Sequence, residues 1–351
     1  MKIVVTSGGT GGHVYPAVSL IKYLENQGEE VTFIGARNKL EEEVAKKEDI
    51  NFIGLEFNSR NGIVNKIKFI ISLIKAFFIV LNLFDKNKPD VVVGFGNYIS
   101  FPVCIAAKLK KIPVLLHEQN SVMGKANIML GLIAKKIGYS IPLLKEYHKK
   151  KLVSVGNPRS NECLKTKLNT YKIDMTKNNV LIFMGSLGSS SVNKILKEFI
   201  NTSIDSNMYH IVTGKKHYND FIKDINKKDN IIIYPYVEDM ISLMKKCDVL
   251  VTRSGATTIS EIVTLGLPSI LIPSPYVVNN HQFHNASYLL KSEACLMLEE
   301  KYLTSTTLKE KINLLLKDNE LRVKLRINSL KLAVFDSNNK IYKIIKEITN
   351  E

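Results

Sequence analysis

Near its start the chain carries Ser7-Gly8-Gly9-Thr10-Gly11-Gly12-His13-Val14-Tyr15-Pro16, entered directly from the apolar run Ile3-Val4-Val5. Glycine allows backbone angles that other residues avoid and lets a ligand come close to the main chain. Pro16 suits the first turn of a helix, where its missing N–H costs nothing. A strand, a glycine loop and a helix start together offer backbone N–H groups to a phosphate. His13 adds an imidazole. It either caps the helix and satisfies a loop carbonyl, or it serves as a general base, since imidazole titrates near neutral pH. An anion cradle beside a proton acceptor suits group transfer from a phosphorylated donor. The string GGTGGH is not the GxGxxG dinucleotide fingerprint with its usual acidic residue.

A second constellation is Arg253-Ser254-Gly255-Ala256-Thr257-Thr258-Ile259-Ser260-Glu261, fed by the apolar run Val249–Thr252. Hydroxyls and backbone N–H groups there suit a pyrophosphate at a helix start. Glu261, about one turn in, could accept hydrogen bonds from both hydroxyls of a ribose; it could equally be a helix charge favouring the dipole. The chain has no Asp-x-Asp pair to hold a metal against a nucleotide diphosphate. Helix dipoles and hydroxyls would then stabilise the departing group, with neither metal nor cofactor expected. Three more polar loops follow apolar runs: Gly94–Tyr98, His117–Asn120 and Asn279–Gln282. Each alone is only a polar loop. Together, at the carboxyl ends of strands in an open sheet, they would converge on one crevice.

The elements that must position these residues alternate short apolar runs with helical patterns, which predicts a parallel α/β sheet. Candidate strands in the first half are Lys2–Thr6, Val31–Gly35, Phe52–Leu55, Val91–Val93, Val114–Leu116 and Val153–Val155. The Val91–Val93 run reads as a strand covered on both faces. A boundary is expected near Gly156-Asn157-Pro158, before a polar segment. Strands then resume at Val180–Met184, His210–Thr213, Ile231–Tyr234, Val249–Thr252, Ser269–Ile272 and Cys295–Leu298. The first of these leads into Gly185–Ser191, another glycine/serine turn before a helix at Val192. Both halves therefore open alike, which predicts two Rossmann-like domains with parallel sheets facing across a cleft. The expected organisation is 1–156, 157–335 and a last helix, 336–351, returning to the first domain.

A length of 351 residues favours two domains over one. The net charge of +16 favours anionic partners, or merely a solvated Lys-rich surface. No nucleic-acid motif appears. Cys104, Cys163, Cys247 and Cys295 show no metal-ligand spacing and read as buried thiols in a reducing compartment. A strand that begins by residue 3 leaves no room for a signal peptide. The most apolar stretch, Phe69–Phe84, is about sixteen residues, short of the ~20 a span needs. The wider segment Ile63–Phe84 has apolar residues at helical spacing, punctuated by Lys66, Lys68 and Lys75, with Arg60 upstream. It reads as a helix mostly in the core, its ends and upstream loop touching lipid.

The strings GGTGGHVYPA, VVVGFGNYIS, HEQN, VGNP, GSLGS, RSGATTISEI, LGLPSILIPSP and HQFHNA, in this order along nearly the whole chain, closely resemble a family. It is that of the bacterial cell-wall glycosyltransferases that add N-acetylglucosamine to undecaprenyl-diphospho-muramoyl-pentapeptide. The resemblance implies the GT-B fold and an inverting reaction without a metal held by Asp-x-Asp. It implies His13 as candidate base for the acceptor hydroxyl, with Glu118 as the other candidate. Thr10, Gly11 and Gly12 would lie near donor and acceptor diphosphate. Tyr98, Glu118 and Asn120 would line the acceptor side, Asn120 also reaching the donor. Ser186 would touch the donor phosphate and Val237 would present backbone to uracil. Ala256, Thr257, Thr258, Ile259 and Ser260 would hold the diphosphate, Glu261 the ribose and Gln282 the sugar hydroxyls. Departures fall at Met184 and Leu187 in the second loop, at Asn97 in place of a common glycine, at His281, and at Arg159, where many members read GNPVR. The last two are left without assigned roles.

The implied partners are UDP-N-acetylglucosamine, the lipid-linked muramoyl-pentapeptide, the anionic cytoplasmic face of the cell membrane, met peripherally, and a cell-wall synthesis complex. Nucleic acid is not among them. Rival readings are a same-fold transferase acting on diacylglycerol, a same-fold epimerase of the free sugar nucleotide, and a non-enzymatic membrane-binding module.

Overall fold

A computed structural model describes the chain from residue 1 to 350 apart from 59–61, 167–170, 172, 186–187, 203–205, 224 and 227, and leaves aside the side chains of 63 and 64. Arg60 and Ser186 lie outside the described residues. The chain divides into two units, Met1–Asn161 with Val334–Glu351, and Glu162–Ala333.

In the first unit the strands are β1 (Lys2–Thr6), β2 (Glu30–Ala36), β3 (Phe52–Leu55), β4 (Val91–Gly94), β5 (Val114–Glu118), β6 (Lys136–Tyr139) and β7 (Leu152–Ser154). The helices are α1 (Gly11–Asn26), α2 (Leu40–Lys47), α3 (Ile63–Lys86), α4 (Asn97–Leu109), α5 (Lys125–Leu130) and α6 (Arg159–Lys165), which runs over the division between units. The strands pair in parallel in the order β3-β2-β1-β4-β5-β6-β7. Chain order reverses between β1 and β4, so their carboxyl ends flank the switch point where such sheets take ligands.

The valine run of β4 has the expected two-sided cover. Val91 and Val93 join one core with Ile3 and Val5, and Val92 joins the opposite core with Val4. Side chains alternate across a strand, so both faces must be apolar. The first core is roofed by α1 and by the last helix, Ser337–Asn350, through Ile341, Ile344, Ile345 and Ile348.

Three local expectations change. Pro16 lies in the second turn of α1, because the helix already begins at Gly11. β5 continues through His117 and Glu118, which are strand residues and not a following loop. The strand β6 was not expected: Lys-Ile-Gly-Tyr carries little apolar signal and forms because β5 and β7 pair on either side of it.

The largest correction concerns α3. The helix is long and apolar enough, from Asn65 to Lys86, to cross a membrane by length and composition alone. Yet Ser72, Ala76, Val80 and Phe84, spaced four apart, are buried, and the helix packs on α4. That stripe makes it part of the unit. The rest is not core. Ile67, Ile70, Ile71, Ile74, Phe78 and Ile79 are between 46% and 61% exposed. Lys66, Lys68 and Lys75 stand exposed among them. These side chains leave an apolar, lysine-punctuated face of α3 exposed.

In the second unit the strands are β8 (Asn179–Phe183), β9 (Met208–Val212), β10 (Ile231–Tyr234), β11 (Val249–Thr252), β12 (Ser269–Leu271) and β13 (Leu296–Met297). They pair in parallel in the order β10-β9-β8-β11-β12-β13, with the switch between β8 and β11. The helices are α7 (Ser190–Thr202), α8 (Tyr218–Ile222), α9 (Met240–Met244), α10 (Ala256–Leu265), α11 (His281–Lys291), α12 (Ser305–Lys317) and α13 (Asn319–Leu332); the last helix of the chain, α14, belongs to the first unit. α7 and α12 bury Leu196, Phe199, Leu308 and Ile312 against Val180, Ile182, Val249 and Val251. All four cysteines are buried and free of disulfides. Burial pushes the thiols of Cys104, Cys247 and Cys295 up to about 12, which leaves them unreactive.

Candidate active site

In the first unit a hydrogen-bond relay crosses the carboxyl ends of β1, β4 and β5. Its buried end is His117, on β5, whose Nε2 lies 2.9 Å from the Gly156 carbonyl. Only a donor satisfies a carbonyl, so Nε2 carries the proton. Burial pushes this imidazole down to about 4, so it is neutral and Nδ1 is an acceptor. Gln119 Nε2 donates to that Nδ1 at 3.0 Å and also faces the carbonyls of Phe95 and His117. Those oxygens fix the orientation of the Gln119 amide. Its Oε1 therefore points at His13 Nδ1, 2.7 Å away, and accepts from it. With the proton on Nδ1, the lone pair of His13 sits on Nε2. Partners assigned in this way orient a histidine as a base.

Glu118 is differently placed. Its side chain is 2% exposed and faces its own loop. Oε1 accepts from Asn120 N–H at 3.1 Å and from Asn120 Nδ2 at 3.4 Å. Oε2 accepts from Gly124 N–H and Asn127 Nδ2, each at 2.9 Å. The carboxylate is the organiser of the Gln119–Gly124 turn, and a proton arriving there would displace a donor. Asn120 is bound into the same turn.

Thr10, Gly11 and Gly12 begin α1. Thr10 is extended, its hydroxyl makes no capping bond, and the first turn holds no acidic residue, so the positive end of the helix dipole has no counter-charge from its own first turn. Tyr98, in the first turn of α4, stacks edge-on with Phe57 and Phe69, which ties this side of the site to α3. Arg159 lies over the ring of Tyr15, two residues beyond His13.

In the second unit the organiser is Arg253, at the end of β11 and nearly buried. It donates to Ile272 O at 3.1 Å, donates to Ser189 Oγ at 3.0 Å, and pairs with Glu300 at 2.6 Å. Glu300 also accepts from Ser191 Oγ at 2.6 Å. The start of α7 is thereby locked to the end of β11 across the switch point. Gly255 precedes α10, and a side chain there would meet open space. Ala256, Ile259, Ser260 and Glu261 are buried along α10, with Thr257 and Thr258 half-buried. Glu261 is the sixth residue of the helix, beyond the first turn where a carboxylate answers the dipole. Ser254 Oγ donates to the Gln282 carbonyl at 2.8 Å, and Gln282 Oε1 accepts from Ser274 N–H at 2.9 Å, so the side-chain NH2 remains to donate. His281 Nδ1 is held by the Val278 carbonyl at 2.9 Å. Val237 is buried in the turn before α9. No group of three or more His, Cys, Asp or Glu side chains among the described residues could hold a metal.

Gln119, Asn127, Arg253 and Glu300 were given no role by the sequence. The HEQN string and the position of Arg253 at a strand end were the available signals.

Residues 3–139 match the glycosyltransferase family 28 N-terminal domain and residues 179–348 match the family 28 C-terminal domain. The chain belongs to glycosyltransferase family 28. Its relatives include a UDP-N-acetylglucosamine--N-acetylmuramyl-(pentapeptide) pyrophosphoryl-undecaprenol N-acetylglucosamine transferase of Bacillus pumilus, 35% identical, covering 99% of this chain and 100% of that one. A protein of the same description from Lactobacillus delbrueckii subsp. bulgaricus is 35% identical, with all of both chains covered. The crystal structure of Acinetobacter baumannii MurG superposes with a TM-score of 0.77 at 24% identity, covering 99% of each chain. A putative UDP-N-acetylglucosamine 2-epimerase from Listeria monocytogenes gives 0.75 at 14% identity, over 99% of this chain and 96% of that one. The fold of this family 28 glycosyltransferase is GT-B, built from two Rossmann-like units.

Proposed function

We propose that the protein transfers N-acetylglucosamine from UDP-N-acetylglucosamine to the 4-hydroxyl of undecaprenyl-diphospho-muramoyl-pentapeptide, with inversion. The acceptor O4 forms a bond to the anomeric carbon, the bond from that carbon to the β-phosphate oxygen breaks, and UDP leaves with the electron pair. The O4 proton goes to His13 Nε2. The observation that carries this assignment is the relay from Gly156 through His117 and Gln119, which puts the lone pair of His13 on Nε2. Glu118, saturated by four donors, shapes the acceptor turn instead.

Donor binding belongs to the second unit. The N–H groups opening α10 and the hydroxyls of Thr257, Thr258 and Ser260 receive the diphosphate, with Ser186 as a further phosphate contact. Glu261 takes the ribose, Val237 the uracil, and the NH2 of Gln282 the sugar hydroxyls. Those N–H and hydroxyl donors carry the departing charge, so the reaction needs no metal. Thr10, Gly11 and Gly12 receive the acceptor diphosphate, and Tyr98 and Asn120 line that side.

The lipid carrier gives the exposed apolar, lysine-bearing face of α3 its partner: the acidic cytoplasmic leaflet, met peripherally. A complex with other cell-wall enzymes belongs to the same reading. The testing experiment offers labelled UDP-N-acetylglucosamine with the muramoyl lipid or with diacylglycerol. Label is expected in a disaccharide on the first lipid alone. Label on diacylglycerol, or sugar nucleotide consumed with neither lipid present, would overturn the proposal.

A further inference from the structure

The first glycine loop is held by a side chain with no part in the site described above. Glu41, on α2, is 1% exposed. Its Oε1 accepts from Gly9 N–H at 2.7 Å, and its Oε2 is buried with no hydrogen-bond partner. The stem reaches the loop past Gly35 on β2, where an added Cβ would come within 2.7 Å of the Glu41 Cβ. From the other side Asn97 Nδ2 donates to Gly8 O at 2.7 Å. Asn97 holds a φ of 66°, a strained value for a side-chain-bearing residue. Gly8 C=O and Gly9 N–H belong to one peptide unit, and a trans peptide points them in opposite directions. Both polar groups of that unit are therefore taken, one by α2 and one by α4. The grip is close: a Cβ on Gly8 would collide with Glu41 and Ile99, and one on Gly9 with Asn97.

We infer that Glu41 and Asn97 are positioning residues that pin the Gly8–Gly9 peptide and so decide where along the loop an anion sits. Gly9 N–H is already occupied, and a second anion there would meet the Glu41 carboxylate. A buried acid with an unpartnered oxygen is costly to keep, and this one repels where the loop must not bind. The anion is directed onward to the opening of α1, where Thr10 makes no side-chain cap and no acidic residue follows in the first turn. The acceptor diphosphate then lies beside His13. This assignment rests on the reading of the loop as the acceptor diphosphate site.

Glu41→Ala, Glu41→Gln and Asn97→Ala test it, each with its melting temperature measured. Glu41→Ala is expected to raise the KM of the muramoyl lipid about tenfold, the scale of one lost charge-assisted hydrogen bond, with the KM of UDP-N-acetylglucosamine unchanged within about twofold. Glu41→Gln, whose amide oxygen can still accept from Gly9, is expected to restore most of the acceptor KM. Hydrogen exchange of the peptide containing Gly9 is expected to speed up in Glu41→Ala and to return towards wild type in Glu41→Gln. Asn97→Ala, which leaves the buried acid untouched, is expected to raise the acceptor KM in the same sense and carries the test if Glu41→Ala does not fold. Unchanged exchange at Gly9, or equal rises in both KM values, would overturn the inference. A wild-type protein that transfers nothing to the muramoyl lipid would sink the reaction instead, and exchange at Gly9 would still decide whether Glu41 pins the loop.

Discussion

Gln119→Leu separates orienting the base from being the base. The substitution removes the acceptor of His13 Nδ1 and the donor of His117 Nδ1 while keeping comparable bulk. One neutral hydrogen bond is worth about 0.5–1.5 kcal/mol, so kcat should fall roughly two- to tenfold. His13→Ala removes the base itself and should lower kcat by about 10²–10⁴. In the double variant Gln119→Leu has nothing left to orient, so its effect should vanish. The assay is steady-state UDP release at saturating acceptor for wild type, both single variants and the double. Stability falls as well, because the Phe95 carbonyl and the buried His117 Nδ1 lose the Gln119 donor at about 1–3 kcal/mol for each group left unsatisfied, whereas the His117 carbonyl keeps Asn127 Nδ2. Rates must therefore be taken well below the melting transition of each variant. If Gln119→Leu slows the His13→Ala enzyme by the same factor as wild type, the relay does not act through His13 and the reasoning fails.

Three further outcomes follow from the structure. Burial holds His117 at about 4 against an ordinary 6.5, so on acidification the unfolded chain takes up this proton before the folded one does. Its contribution is complete above about pH 6.5 and is lost as pH falls towards 4, by up to about 3 kcal/mol; urea midpoints across that range should show the loss, and a flat profile would contradict it. Ile74→Glu with Phe78→Glu changes only exposed positions, so the fold should stand while binding to anionic vesicles weakens by about 2 kcal/mol, or roughly 30-fold; cosedimentation unchanged by the pair would remove α3 from membrane contact. Arg253→Met strands the Glu300 carboxylate in a buried site at about 3–5 kcal/mol and should raise the donor KM. Adding Glu300→Leu should recover melting temperature without recovering donor KM, and recovery of both would show that the pair serves stability alone.

The features legible in the sequence are those with a local physical signature. Val91–Val93 announced a doubly covered strand, and the glycine turns at Gly8, Gly185 and Gly255 announced places where a strand leads into a helix start. What escaped depends on partners distant in the chain. β6 is a strand only because β5 and β7 flank it. Gln119 is an ordinary polar residue until Phe95, His117 and His13 converge on it from three elements. Glu41 reads as one acid in a run of three, and nothing in Leu40–Lys47 tells which of them turns inward. In α3 the apolar residues nearly encircle the helix, so periodicity gave the helix but not its covered face. The buried stripe turned out to be the one with Ser72 and Ala76, small residues that let α4 approach, and the larger isoleucines face outward.

The central claim is acceptor-dependent transfer by a base held at His13. It is tested most directly by following UDP and labelled lipid together, with and without the muramoyl acceptor, for wild type and His13→Ala. The account predicts UDP appearing one-for-one with an inverted disaccharide lipid, little UDP without acceptor, and a His13→Ala enzyme that still binds donor but turns over at least about a hundredfold more slowly. Turnover unchanged in His13→Ala, or UDP released at the same rate without acceptor, would contradict it.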